Sequence, residues 1–261
     1  MRVLIGGARL ATPREVVDHA WLAIEGDRVT GVGQGRPPGQ ADVDLAGGLV
    51  VPGFVDLHCH GGGGGSYADG PDEAATAASF HRAHGTTTTL ASLVSAGPPD
   101  LLYQVKQLAD MVHEGVVAGI HLEGPWLSEL RCGAHDPAVL RDPTEQELDA
   151  LVEAAGGTLA MVTLAPERTN AIELIRGIAG AGMVAAVGHT NATFAATVAA
   201  INAGARVATH LGNAMAPMHQ REPGPLLALL DDPRVVCEVI NDGRHVHPAF
   251  VQHVRRSAGS A

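Results

Sequence analysis

Pro52-Gly53-Phe54-Val55-Asp56-Leu57-His58-Cys59-His60-Gly61 joins an apolar run to two histidines two positions apart, and five consecutive glycines begin at its end. Side chains alternate along a strand, so a strand through this run sends His58 and His60 to one side and Cys59 to the other. Two imidazoles on one side of a strand end can bind one divalent ion. Taken alone, the pair reads equally well as one buried histidine and one loop histidine.

Downstream of Pro52, apolar β-branched runs at 53–58, 86–94, 116–122, 159–165, 183–188, 206–210 and 235–240 alternate with Ala- and Leu-rich stretches. The latter lie near 72–84, 100–113, 144–155, 170–180, 193–203, 224–230 and 248–256 and carry helical composition. Such alternation implies a parallel sheet covered by helices. Continuous apolar runs such as Met161-Val162-Thr163-Leu164 fit strands buried on both faces. The fold class expected is α/β. Its form is a (β/α)8-type barrel with seven of its eight units in residues 51–261, so that the last strand is missing. An open doubly wound sheet is the alternative, but no Gly-rich dinucleotide loop follows the first strand of this part. Gly61 to Gly65 has neither a GKS nor a GxGxxG spacing and is read as a flexible loop over a site. Upstream, residues 1–50 carry short strand-like runs, Val3-Leu4-Ile5, Trp21-Leu22-Ala23-Ile24 and Arg28-Val29-Thr30-Gly31-Val32, with Gly26-Asp27 placed as in a hairpin. They read as a small, incomplete β-domain.

Composition narrows the function classes. The chain has 261 residues and is 46% apolar, enough for a sizeable core. A formal net charge of −11 argues against nucleic acid and anionic membranes as partners, and makes any anionic substrate depend on a local basic site. Cys59, Cys132 and Cys237 are odd in number and widely spaced, which fits a reducing cytoplasm. Arg2 is followed at once by a strand-like run, so no secretory leader is expected.

The histidine pair gains weight from other strand ends. The third strand closes His121-Leu122-Glu123-Gly124-Pro125, the fifth Gly188-His189-Thr190 and the sixth Thr209-His210-Leu211. A carboxylate ending a buried run is costly unless paired or metal-bound. Any one of these residues has an ordinary explanation, such as a packed histidine or a salt bridge. His58, His60, Glu123, His189 and His210 all fall at C-terminal strand ends, where barrel active sites sit, and packing alone does not call for that. The ligand types suit Zn²⁺, Fe²⁺ or a similar ion, one or two per subunit. His121 shares Glu123's parity but lies deeper, and reads as a packed histidine. The single lysine, Lys106, lies in a helical stretch, so a lysine-bridged metal pair is not expected and Glu123 is the best available bridge.

The opening run resembles the start of the amidohydrolase superfamily barrel. With it, His121-Leu122-Glu123-Gly124-Pro125-Trp126, Gly188-His189-Thr190, Thr209-His210-Leu211-Gly212-Asn213-Ala214-Met215 and Asn241-Asp242-Gly243-Arg244-His245-Val246 resemble the N-acetylglucosamine-6-phosphate deacetylases, in family order and across nearly the whole chain. The resemblance implies Glu123, His189 and His210 as ligands of the principal metal, with His58 and His60 offering a second site. It implies His135 as a histidine near the acetamide, and Ala134, Asn213, Ala214 and His245 as substrate contacts. Arg221 matches an arginine that reaches the phosphate of a neighbouring subunit, which implies a homodimer.

The reaction implied is hydrolysis of N-acetylglucosamine 6-phosphate to glucosamine 6-phosphate and acetate, with His135 donating to the developing oxyanion. The family's general base, an aspartate in a Thr-Asp-Ala segment on the eighth strand, has no counterpart in this sequence. The chain is therefore expected to be a fragment, slower than a chain with that aspartate by about two to four orders of magnitude. Asp242 belongs to the loop of the seventh strand and is not assigned that role. The competing readings are another amidohydrolase acting on an N-acyl amino sugar, and a barrel that binds metal or sugar phosphate without turnover.

Overall fold

The computed structural model describes residues 1–259. The chain divides into two units, Met1–Phe54 and Val55–Ala261. In the first, β1 (Arg2–Ala11), β2 (Val16–Glu25) and β3 (Arg28–Gln34) form an antiparallel meander, while β4 (Val43–Asp44) and β5 (Leu49–Val50) pair parallel to β1. β1 is longer than the run Val3-Leu4-Ile5 suggests. Gly6 and Gly7 do not end it but make a bulge, with the register moving between the pairs Ile5↔Leu22 and Ala8↔Ala20. Gly7 has φ 60°, a conformation glycine adopts without a Cβ clash. Gly26-Asp27 is the expected tight connection between β2 and β3.

The second unit is a seven-stranded parallel sheet. Its strands are β6 (Phe54–Cys59), β9 (Thr86–Leu93), β10 (Gly119–Glu123), β11 (Leu159–Leu164), β12 (Val184–Val187), β13 (Val207–Ala208) and β14 (Val236–Cys237), hydrogen-bonded in chain order with β6 and β14 as the two edges. Helices follow the strands: α1 (Pro71–Ala83), α2 (Pro98–His113), α3 (Glu145–Ala155), α4 (Ala171–Gly180), α5 (Phe194–Ala203), α6 (Gly224–Asp231) and α7 (Pro248–Ala258). Thr144 and Thr193 accept from backbone N–H groups at the starts of α3 and α5, which fixes where those helices begin. Short 3-10 turns at Glu129–Arg131 and Pro137–Val139 occupy the connection after β10.

Strand parity sorts this unit into an outer and an inner face. Cys59, Ala91, Leu93, Ile120, Leu122, Val162, Leu164, Ala185, Val187 and Ala208 share one buried cluster with the helical residues Leu101, Leu108, Leu151, Ile175 and Ile178. The alternate residues Met161, Ala186 and Val207 cluster separately, with Leu90 against them. The face that carries Met161 therefore also carries Ser92, His121, Glu123 and Thr163. Layers of inward side chains are how a curled parallel sheet fills its interior.

Gly61 to Gly65 departs from the sequence expectation. β7 (Gly61–Gly62) and β8 (Gly65–Ser66) form a small antiparallel hairpin. A Cβ on Gly62 or Gly63 would come within 2.9 Å of the Phe80 side chain on α1, so the glycines allow close packing rather than a loose loop over the site.

Candidate metal centre

The inward layer next above Met161 and Val207 is polar. Ser92 Oγ lies 2.9 Å from His121 Nδ1, His121 Nε2 lies 2.8 Å from Thr163 Oγ1, and Thr163 Oγ1 lies 2.8 Å from Thr209 Oγ1. The Cys59 N–H donates to Ser92 Oγ at 3.0 Å, tying β6 to the same chain of bonds. Burial, reinforced by the nearby His58, pushes His121 well below the ordinary histidine pKa and keeps it neutral. It cross-links neighbouring strands, the packed role its depth in the strand implied. Cys59 points outward to α1, where its Sγ is 3.1 Å from His81 Nε2.

One layer further toward the strand C-termini, four imidazoles from strand ends, joined by His135 from the connection after β10, converge on one carboxylate. Glu123 is 3% exposed. Its Oε1 lies 3.1 Å from His189 Nε2 and 2.8 Å from His210 Nε2. Its Oε2 lies 3.0 Å from His60 Nε2 and 3.4 Å from His58 Nε2. The rings also meet each other, with Nε2 to Nε2 distances of 3.0 Å for His58 and His60 and 3.1 Å for His189 and His210. His58, His60 and Glu123 form one potential ligand group, and Glu123, His189 and His210 a second, with Glu123 common to both.

The donor set fits a divalent cation. Two nitrogen lone pairs facing each other at these distances repel unless a proton or a metal ion lies between them. Two of the far ring nitrogens are turned outward to backbone acceptors: His60 Nδ1 is 3.1 Å from the Ser92 carbonyl and His189 Nδ1 is 2.8 Å from the Arg131 carbonyl. Such bonds leave the Nε2 lone pairs for a metal. Without a cation, the charges redistribute among the side chains. Burial works to raise the Glu123 pKa, but hydrogen bonds from His135, His189, His210 and His58 overwhelm it and hold the carboxyl far below the usual range. Burial likewise disfavours the His58 imidazolium, yet hydrogen bonds to Glu123 and Glu238 raise His58 to about 10.

Local backbone geometry aims the ligands. His189, His210 and Ala214 have φ of 48°, 31° and 49°, left-handed conformations rare outside glycine. The His189 and His210 bends come two residues after the ends of β12 and β13, and strained backbone concentrates at functional sites. The 3-residue approach Gly188-His189-Thr190 has no room for a larger first residue, because a Cβ on Gly188 would meet Thr209 at 2.7 Å and Thr163 at 2.8 Å. Behind His189, Glu167 accepts from Thr190 Oγ1 at 2.5 Å and from the Asn191 N–H at 2.6 Å.

The centre opens into a cavity of about 790 Å³. Its lining includes Ala134, His135, Asn213, Ala214 and His245 as well as all five ligand candidates. His135 is buried, accepts from the Ser95 N–H at Nδ1 (3.2 Å) and places Nε2 3.4 Å from Glu123 Oε2. With Nδ1 used as acceptor, Nε2 carries the proton and is a donor facing the centre. Asp242 accepts from His245 Nδ1 at 2.7 Å and from the backbone N–H groups of Arg244 and His245; those two backbone bonds lead in holding its pKa down at about 2. Arg221 is not brought to this cavity. It is exposed, in a turn closed by a His219–Glu222 bridge.

Glu238 was not anticipated from the sequence. It follows β14, lines the cavity, and its Oε2 lies 3.2 Å from His58 Nδ1 and accepts from the His210 N–H at 3.3 Å. The signal was the one that drew attention to Glu123, an acid closing an apolar strand run, here Val235-Val236-Cys237-Glu238.

The model of the amidohydrolase family matches residues 49–260. An N-acetylglucosamine-6-phosphate deacetylase of Bacillus subtilis is 32% identical over 270 residues, covering 99% of this chain and 68% of that protein. An N-acetylgalactosamine-6-phosphate deacetylase of Escherichia coli O157:H7 is 36% identical over 206 residues, 77% of this chain and 55% of that one. The chain thus spans little more than half the length of some curated relatives. Among solved structures, N-acetyl-D-glucosamine-6-phosphate deacetylase of Mycobacterium smegmatis, a mutant in complex with N-acetyl-D-glucosamine 6-phosphate, superposes with a TM-score of 0.95 at 53% identity, covering 99% of this chain and 68% of that one.

Proposed function

This chain belongs to the amidohydrolase family, and on that premise we propose that it carries the metal-binding and substrate-orienting part of an N-acetylglucosamine-6-phosphate deacetylase. The observation that carries the reading is the convergence of His58, His60, His189 and His210 on Glu123 at the strand C-termini. Glu123, His189 and His210 would hold the principal ion, and His58 and His60 with Glu123 a second. Zinc or ferrous iron suits this nitrogen-rich set. A bound ion of this kind supplies an activated water and polarises the amide carbonyl.

The chain's own groups do the orienting. His135, with its proton on Nε2, donates to the acetamide oxygen as negative charge develops there. Ala134, Asn213, Ala214 and His245 line the space for the sugar. The cavity lining contains no lysine or arginine among the described residues, so a phosphate there needs a cation from elsewhere. Arg221, exposed and able to grip phosphate through two N–H groups, is proposed to supply it across a homodimer. A cytoplasmic location belongs to the same reading, supported by three cysteines that are all free. Among the described residues no helix is long and apolar enough to cross a membrane. The sequence holds no Thr-Asp-Ala segment, and the return of a proton to the departing amine is not assigned to a residue of this chain.

The galacto epimer is the second reading, favoured by the Escherichia coli relative's name. The test is ligand-detected NMR with Zn²⁺-loaded protein and four sugars: the gluco and galacto N-acetyl 6-phosphates and their unphosphorylated forms. Acetate is followed in the same tubes. Tightest binding of the gluco 6-phosphate supports the proposal; equal or tighter binding of the galacto form moves it to the epimer. Binding of neither phosphate overturns both.

A further inference from the structure

Glu238 stands behind the ligands rather than among them. Its Oε2 takes His58 Nδ1 at 3.2 Å and the His210 N–H at 3.3 Å, so one oxygen touches a member of each ligand group. Both side chains of the first pair are mostly enclosed, with His58 14% and Glu238 15% exposed. The Glu238 backbone is pinned on both sides, its N–H donating to the Ala208 carbonyl at 3.0 Å and its carbonyl accepting from the Leu211 N–H at 2.8 Å. His60 and His189 lean on backbone carbonyls, whereas His58 leans on a charged side chain.

We propose that Glu238 is the positioning residue for the His58–His60 half of the centre. A carboxylate oxygen that accepts from Nδ1 keeps a hydrogen there, so Nε2, which faces His60 Nε2 and Glu123 Oε2, is the nitrogen that gives up its proton and offers a lone pair when a metal binds. The orientation of the ring and the choice of its metal-facing nitrogen both come from this one contact. A carboxylate behind a metal-binding histidine typically contributes about 10- to 100-fold in metal affinity. The inference rests on the metal reading above and adds an asymmetry to it: loss of Glu238 weakens one ion and spares the other.

The experiment is Co²⁺ titration of the metal-free chain by equilibrium dialysis and visible absorption, for wild type, Glu238→Ala, Glu238→Gln, His58→Ala and the double variant Glu238→Ala/His58→Ala. Wild type is expected to take up two ions. Glu238→Ala weakens one by about 10- to 100-fold and leaves the other unchanged, and Glu238→Gln, which keeps an acceptor oxygen, loses less. The double variant binds like His58→Ala alone, because Glu238 acts through His58. Equal weakening of both ions, or additive losses, would overturn the proposal in favour of a general structural role. Unchanged affinities in both Glu238 variants would overturn it outright, as would uptake of one ion by wild type, with the metal reading intact. No uptake by wild type would sink the metal reading itself. Circular dichroism identifies a variant that fails to fold; Glu238→Gln, nearly isosteric, then carries the comparison.

Discussion

Loading the metal-free protein should expel a proton from His58. This ring lies 3.2 Å from Glu238 and 3.4 Å from Glu123, and the pair of carboxylates raises it to about 10 despite its burial. At pH 8 only about one ring in a hundred is neutral, and each pH unit is worth about 1.4 kcal/mol. A metal that uses His58 Nε2 must displace that proton. Apparent affinity at the His58–His60 group should therefore rise about tenfold per pH unit, or about 30-fold and 2 kcal/mol between pH 7 and pH 8.5. The same shift governs stability in the absence of metal. A histidine whose folded pKa is raised stabilises the fold fully below its ordinary value of 6.5 and loses that contribution as pH climbs through about 10. The metal-free protein should thus weaken over pH 6.5 to 10, and the loaded protein should lack this dependence. Isothermal titration with Zn²⁺ in buffers of different ionisation enthalpy measures the release directly, with close to one proton per ion at this group. Heat independent of buffer, with affinity flat between pH 7 and 8.5, would refute the reasoning.

Glu123→Gln removes the carboxylate common to both groups and should reduce metal affinity at each by more than about 100-fold, beyond the usual effect of an outer contact; metal content after dialysis reads it. His135→Ala should leave metal content unchanged while slowing acetate release by about 100-fold, as expected for loss of one oxyanion donor. Gly188→Ala pushes a methyl against Thr163 and Thr209 and should cost about 1–3 kcal/mol in urea unfolding, with weaker metal binding through the displaced His189. Arg141→Ala strips Glu147 of its guanidinium partner while Glu147 still accepts from Trp126 Nε1 at 3.0 Å. The side chains are partly enclosed, and the loss should be about 1.5–3 kcal/mol by the same unfolding assay, without change in metal content.

The parts of the fold carried by side-chain parity were legible in the sequence. His58 and His60 inward, Cys59 outward and His121 one layer below Glu123 all follow from alternation along a strand, and the structure places them so. Strand lengths were less legible. The runs 206–210 and 235–240 suggest strands of five and six residues, yet their paired strands are only Val207–Ala208 and Val236–Cys237. An apolar run reports burial, whereas a ladder needs a neighbour in register, and the chain leaves the ladder where His210 bends into the left-handed region. The third strand begins at Gly119, after Val116 and Val117 have been spent on a turn following α2. Glycine hides two further elements: Gly61–Gly65, read as a flexible loop, is a hairpin pressed on Phe80, and Gly6-Gly7, just past the run Val3-Leu4-Ile5, is a bulge inside a longer strand. Glu238 closes its run as Glu123 does, but the role of the acid depends on His58, which lies 180 positions away, and nothing local to Val235-Val236-Cys237-Glu238 marks that contact.

The central claim is that Glu123, His189 and His210 share one divalent ion. Crystals of the chain grown with Zn²⁺, with diffraction collected on either side of the zinc absorption edge, locate it directly. The account predicts an anomalous peak bonded to a Glu123 oxygen, His189 Nε2 and His210 Nε2, with any second peak joined to Glu123, His58 and His60. Fully loaded crystals whose anomalous density lies elsewhere, with those three side chains bonded only to each other, would contradict it.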